Sequence, residues 1–268
     1  MDVFYDKFNI IEQILKNDPM YTILTITSKN VKHYNNFKKL YHKKYNNKSY
    51  CSIIFDSLTK NDYIDELDIQ DIIFDCSLNI LKLLQKPYKS IYMFNYGHNV
   101  LDCLINTKNS TVEKLKVNPL QCNGKIISNF ITVNKSLKNL ALAGQDIEHD
   151  MSIIMKSLNN SNIETLSLER LSLRSIPTDM IINIIDTCTK IKNLYLYDRY
   201  TNNVSLFFDS LSKNFNIIDF EINNIKCNKI NEILERNKKY FMTIFMCVNK
   251  RIIPKCVSMN LIIPYINS

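Results

Sequence analysis

The sequence predicts a right-handed α/β solenoid, with a curved parallel sheet on its concave side, helices on its convex side and a helical cap at the N-terminal end. Three observations predict it. A short apolar pattern recurs at nearly constant spacing, a helix-like apolar cluster follows most of its copies, and the first 48 residues of the 268 follow a different periodicity.

The N-terminal segment, residues 1–48, reads as three short helices. Phe4, Phe8, Ile11 and Leu15 fall on one helical face, and Asp18-Pro19 reads as an N-cap followed by a first-turn proline. Met20–Ile26 is expected to form the second helix and Val31–Tyr45 the third. Such helices would shield the open end of a repeat array, which otherwise exposes apolar surface. After them, Tyr50-Cys-Ser-Ile53-Ile-Phe55 reads as a stretched first strand. A loop at Thr59–Asp68 and a long helix near Ile69–Leu84, ended by Pro87, are expected to follow.

The recurring pattern is apolar, two residues, apolar, one residue, apolar. It reads Val112-Glu-Lys-Leu115-Lys-Val117, Leu137-Lys-Asn-Leu140-Ala-Leu142, Ile163-Glu-Thr-Leu166-Ser-Leu168, Ile191-Lys-Asn-Leu194-Tyr-Leu196 and Ile217-Ile-Asp-Phe220-Glu-Ile222. Looser copies stand at Tyr88-Lys-Ser-Ile91-Tyr-Met93 and Phe241-Met-Thr-Ile244-Phe-Met246. The starts at 88, 112, 137, 163, 191, 217 and 241 are separated by 24, 25, 26, 28, 26 and 24 residues. Alternation of apolar residues within each copy suits a strand. The clusters Met151–Leu158, Met180–Ile185, Val204–Leu211 and Ile230–Leu234 suit helices, with Asp179 as an N-cap or first-turn residue of the second.

Period and motif together resemble the leucine-rich-repeat family in its strand-loop-helix, ribonuclease-inhibitor-like form, over about residues 88–247. The chain departs from that family at the turn position, where Leu120, Leu171, Arg199 and Ile225 stand in place of an asparagine ladder. The resemblance implies repeats over 49–247, clear from 88, and a C-terminal cap over 248–268. The tail's proline-broken runs Ile252-Ile-Pro and Leu261-Ile-Ile-Pro fit such a cap.

The N-terminal segment also resembles a degenerate F-box, through Ile14-Leu15, Asp18-Pro19 and the run Ile23-Leu24-Thr25-Ile26-Thr27-Ser28-Lys29. That resemblance implies docking on a Skp-type adaptor of a cullin ubiquitin ligase through Ile14, Leu15, Pro19 and Leu24, with the repeats choosing the substrate. The segment lacks the opening Leu-Pro, and Tyr34 or Phe37 stands where tryptophan closes the motif. AT-rich codon style and unusual repeats are reminiscent of leucine-rich-repeat proteins of large DNA viruses.

Several function classes find no support. With only Gly97, Gly124 and Gly144 in the chain, no phosphate-cradling glycine loop can be written. The eight cysteines form no C-x-x-C pair and none has a histidine at zinc-ligand spacing, so neither metal nor cofactor is expected. The start Met-Asp-Val-Phe-Tyr-Asp-Lys shows no signal peptide, and the longest apolar run, around Phe241–Val248, is too short to span a bilayer. A reduced, cytoplasmic, monomeric protein without catalytic residues is the expectation. Asp146-Ile-Glu148-His149-Asp150 is the densest acidic cluster containing a histidine, and its place before a helix accounts for its carboxylates.

The net charge of +8 permits an acidic partner without requiring one. Residues 31–48 interleave Lys32, Lys38, Lys39, Lys43, Lys44 and Lys48 with Tyr34, Phe37, Tyr41 and Tyr45. Lysines with interleaved aromatics would suit RNA or single-stranded DNA, but the 3–4 spacing of the aromatics favours an amphipathic helix with its aromatics in the core. The favoured site follows from strand geometry, because residues between and after the core positions face away from the helices. That row holds Tyr92 and Phe94, Lys116 and Asn118, Ala141 and Ala143, Ser167 and Glu169, Tyr195 and Tyr197, and Glu221 and Asn223. Its tyrosines are the expected anchors for a protein ligand.

Overall fold

A computed structural model describes residues 14, 16–17, 19–20, 22–27, 56–70, 86–93, 97–106, 111–117, 124–143, 148–169, 178–197 and 203–249. The chain is α/β, with parallel strands alternating with helices, and it divides into two compact units, Met1–Asn162 and Ile163–Ser268. The expected helices over Phe4–Ile11 and Val31–Tyr45, the strand at Tyr50–Phe55 and the cap after Asn249 lie outside the described residues.

The first unit contains strands β1 (Ile23–Thr27), β2 (Glu66–Gln70), β3 (Ser90–Met93), β4 (Lys114–Val117) and β5 (Asn139–Ala143). Helices α1 (Gly97–Asn106), α2 (Gly124–Val133) and α3 (Glu148–Asn159) follow β3, β4 and β5 in turn. Each strand pairs in parallel with the next, and the middle apolar residues align as Leu24↔Leu67, Leu67↔Ile91, Ile91↔Leu115 and Leu115↔Leu140. Leu67, Ile91, Leu115 and Leu140 are buried with Leu101 and Leu104 of α1, Ile127 and Phe130 of α2, and Ile154 and Leu158 of α3. Each such side chain contributes about 1.5–3 kcal/mol on leaving water.

Two sequence-based expectations fail here for identifiable reasons. Met20–Ile26 is expected to be a second helix, and Ile23–Thr27 is instead strand β1. Ile23, Thr25, Ile26 and Thr27 are β-branched, so their χ1 freedom is better preserved on a pleated strand than against a helical turn. The sheet therefore begins inside the segment expected to be a helical cap, and the five residues central to the F-box resemblance are extended. Likewise the expected loop at Thr59–Asp68 and the start of a helix at Ile69 give way to β2. Ile64-Asp-Glu-Leu67-Asp-Ile69 carries the repeat motif itself, and its start lies 24 residues before that of Tyr88.

The second unit contains β6 (Thr165–Glu169), α4 (Thr178–Thr187), β7 (Asn193–Tyr197), a 3-10 turn (Val204–Phe207), α5 (Phe208–Lys213), β8 (Asp219–Ile222) and α6 (Asn228–Asn249). β6 pairs with β7 and β7 with β8, all parallel, with Leu166↔Leu194 and Leu194↔Phe220 in register. Ile181, Ile184 and Ile185 of α4 and Phe207 and Leu211 around α5 complete its core, and the rings of Phe207 and Phe220 meet at 5.9 Å. Asp179 stands in the first turn of α4, where a carboxylate complements the helix dipole.

The copy expected as a strand at Phe241–Met246 is helical, inside the 22-residue α6. No glycine or proline separates it from the preceding cluster, and Ile230, Ile233, Leu234, Asn237 and Ile244 bury one continuous helical stripe. Met242, Phe245 and Met246 are exposed on its other side.

The turns that lead from helix into strand are held by asparagines, Asn61 and Asn134 buried and Asn214 half-buried. Asn61 donates from Nδ2 to the Ile14 carbonyl at 2.8 Å, and its Oδ1 accepts from the Tyr63 and Ile64 amides at 2.9 and 2.8 Å. Asn134 does the same between the Val112 carbonyl at 3.1 Å and the Ser136 amide at 3.0 Å. In the second unit Asn214 bonds the Ile185 carbonyl and accepts from Asn216 and Ile217 at 2.8 and 2.9 Å. Each stands three residues before a motif start, at 64, 137 and 217. One side chain thus serves both its own turn and a carbonyl of the preceding repeat, which satisfies buried backbone groups that would otherwise cost stability.

Candidate functional site

Alternation along the strands sends the motif residues to the core and the residues between them to the opposite face. In the second unit that face is built in three rungs. Thr165, Asn193 and Asp219 form the first, Ser167, Tyr195 and Glu221 the second, and Glu169 pairs with Tyr197 in the third. The Asn193 amide donates to Thr165 Oγ1 at 3.0 Å, and Ser167 Oγ donates to Glu169 Oε1 at 3.1 Å.

The two tyrosines lean onto carboxylates of the neighbouring strand. Tyr195 donates its phenol to Asp219 Oδ2 at 2.8 Å, a diagonal contact across β7 and β8. Tyr197 lies near Glu221, whose carboxylate acts on its phenol. Burial and the Asp219 hydrogen bond push the Tyr195 phenol up to about 12, with the charges of Asp219 and Glu221 adding to the effect. Partial burial raises Tyr197 as well, followed by Glu221 and then Glu169 and Asp219. Both rings are half-buried, so part of each faces solvent, and Tyr195 is oriented by its hydrogen bond.

Among lysines of this unit, Lys192 is tied to Glu164 at 3.0 Å and Lys229 lies over the Phe208 ring at 4.5 Å. Arg236 sits over Phe215 and donates to the Ser212 and Asn214 carbonyls. The strand face of this unit is thus carboxylate and phenol in a chain of net charge +8.

The corresponding face of the first unit is mixed in charge. One rung reads Glu66, Ser90, Lys114 and the next Asp68, Tyr92, Lys116. Lys114 and Glu66 reach each other at 3.6 Å from the two strands flanking Ser90, whose hydroxyl is fully buried and lacks a hydrogen-bond partner among the described residues. Tyr92 and Lys116 are half-buried. Tyr88, the first motif residue of its repeat, is fully buried with no partner for its hydroxyl among the described residues, and burial drives that phenol upward.

Of the residues expected on the strand face, Tyr92, Lys116, Glu169, Tyr195, Tyr197 and Glu221 lie there half-buried. Ser167 is on it but only 9% exposed, covered by its bond to Glu169 and by its place beside Tyr195, and Ala143 is 4% exposed. Asn223 departs from the expectation. It has left the strand and stands with Asn224 at φ 51° and 60°, a left-handed pair that asparagine tolerates better than other residues with a Cβ. Phe94 and Asn118 lie outside the described residues. Asp219, which the expected row omitted, is the partner of Tyr195, and its parity with Glu221 was its signal.

For the adaptor-docking residues, Ile14 is 1% exposed and its carbonyl is engaged by Asn61, so it is not a surface contact. Leu24 is on β1, Pro19 is exposed and Leu15 is outside the described residues. The lysine-rich segment 31–48 is also outside them. Glu148, His149 and Asp150 open α3, while Asp146 is not described. Among the described residues no group of three His, Cys, Asp or Glu side chains is placed to hold a metal, and no helix is long and apolar enough to cross a membrane.

Compared with known protein families and with curated proteins, the chain matches no family model and no curated protein.

Proposed function

We propose that this chain is a non-enzymatic protein-interaction module of the leucine-rich-repeat type, which holds a protein partner on the exposed face of its strands. The observation that carries the reading is the pair Tyr195 and Tyr197, half-buried on that face, with the Tyr195 phenol held by Asp219. A phenol fixed in this way offers a large rigid surface with little conformational entropy left to lose, which is what an interface anchor requires. Phased apolar triplets, parallel register and alternating helices support the repeat assignment, and repeat arrays use the strand side as an extended ligand surface.

Site-specific photocrosslinking tests the proposal. Benzoylphenylalanine replaces Tyr197 in one sample and the exposed Asp186 of α4 in another, and both are irradiated in cell lysate. A discrete adduct from position 197 that is absent from position 186 is expected. No adduct from 197, or the same adducts from both, contradicts the proposal.

A further inference from the structure

The strand face of the second unit combines two aromatic surfaces with three carboxylates, Glu169, Asp219 and Glu221, in adjacent rungs. The Tyr195 hydroxyl is already committed to Asp219, and Tyr197 lies beside Glu221. The bond fixes the Tyr195 ring and the Asp219 carboxylate, but one phenol occupies only one of the roughly four acceptor sites that a carboxylate offers. What the face presents to a ligand is therefore acceptor oxygens and ring surfaces. Burial raises both phenols first, and the negative charge of the face adds to it, from Asp219 and Glu221 at Tyr195 and from Glu221, Glu169 and Asp219 at Tyr197.

We infer that the partner segment seated on this face is basic and that its anchor is arginine, a guanidinium held by Asp219, Glu221 and Glu169 and stacked on Tyr195 or Tyr197. Charge complementarity selects a cation, and the surrounding aromatic surface distinguishes the two natural ones. A guanidinium is planar, forks onto a carboxylate through two parallel N–H donors, stacks on a ring and is weakly hydrated. An ammonium is a strongly hydrated point charge and gains less from a half-buried aromatic surface. The inference rests on the strand-face reading above and names the chemistry of its ligand.

The test uses the full chain and three short fluorescein-labelled peptides, of alternating arginine and serine, lysine and serine, and glutamate and serine. Anisotropy is read at near-physiological salt, where unspecific charge attraction is largely screened. The arginine peptide is expected to bind about tenfold more tightly than the lysine peptide, with no saturable binding of the glutamate peptide. Glu169→Gln/Asp219→Asn/Glu221→Gln, which keeps shape and removes charge, is expected to weaken the arginine peptide about tenfold or more. Tyr195→Ala/Tyr197→Ala is expected to do the same, whereas Tyr195→Phe/Tyr197→Phe keeps binding within about threefold.

Equal binding of the arginine and lysine peptides, or undiminished binding to the triple amide variant, overturns the inference. So does the absence of saturable binding to the unmodified chain, which needs no variant to fold. Competition separates this inference from the broader proposal. A photoadduct at position 197 that forms unchanged in excess arginine peptide sinks the arginine anchor and leaves the strand-face proposal standing, while loss of any adduct at 197 removes both.

Discussion

Asn134→Ala is the substitution whose cost follows most directly from the turn geometry. The side chain is 3% exposed, donates to the Val112 carbonyl at 3.1 Å and accepts from the Ser136 amide at 3.0 Å. Truncation strands a carbonyl of the fully buried Val112, at about 1–3 kcal/mol for a buried group left without a partner. The Ser136 amide is half-buried and recovers some hydration, so its loss adds about 0.5–1 kcal/mol. The sum is about 1.5–4 kcal/mol, and the Asn134 amide keeps its own bond to the Phe130 carbonyl at 2.9 Å. At a urea dependence of about 3 kcal/mol per molar, the unfolding midpoint by circular dichroism should fall by about 0.5–1.3 M. Asn134→Asp retains the acceptor but turns a carboxylate toward the Val112 carbonyl, so it should cost at least as much. Asn183→Ala, on the exposed side of α4, serves as control and should leave the midpoint in place or raise it slightly. A midpoint for Asn134→Ala within about 0.2 M of the unmodified chain would refute the claim that these asparagines hold the turns.

Three further outcomes follow from other parts of the molecule. Tyr88→Phe removes a buried hydroxyl that has no partner among the described residues, so stability should stay level or rise by about 1 kcal/mol in the same urea assay; a clear loss would mean that the hydroxyl is bonded. Tyr195 keeps its proton to about 12 in the folded chain against an ordinary value near 10 when unfolded. Its contribution to stability is therefore complete below about pH 10 and is lost as pH rises from there through 12. The difference in absorbance titration between the native chain and Tyr195→Phe should show one phenol ionising late, and a difference centred near 10 would contradict it. The Lys192–Glu164 pair, 3.0 Å apart with both side chains more than a third exposed, should show a coupling below about 1 kcal/mol in a double-mutant cycle. A coupling above about 2 kcal/mol would mean that the pair is shielded from solvent.

Strands β4 to β8 were legible because their triplets repeat in phase and each is bounded by turn residues. β2 was missed although Ile64, Leu67 and Ile69 keep the same phase, because the richer apolar run at Tyr50–Phe55 drew the assignment upstream. β1 was missed because Asp18-Pro19 reads locally as a helix start, and a local capping signal outweighed the β-branched run after it. Phe241–Met246 shows the opposite error. Its triplet matches the motif, but the helical stripe from Ile230 runs through it without a break, and periodicity of 3.6 prevailed over a six-residue pattern.

The candidate site was half legible. Parity alone placed Tyr195, Tyr197 and Glu221, whereas the pairing of Tyr195 with Asp219 depends on a diagonal contact between strands that no single-chain pattern encodes. The asparagine turns are written in the sequence three residues before each of three motif starts, at the turn into the strand rather than at the later position held by Leu120, Leu171, Arg199 and Ile225.

The strand-face claim is tested most directly by calorimetry on the partner captured through position 197, comparing the unmodified chain with Tyr195→Ala/Tyr197→Ala. The double substitution is expected to weaken binding by about 100-fold or more, as the loss of two central aromatic anchors should, while the chain stays folded with a urea midpoint lowered by about 1 M or less. Binding retained within about threefold would place the partner on another surface and contradict the account.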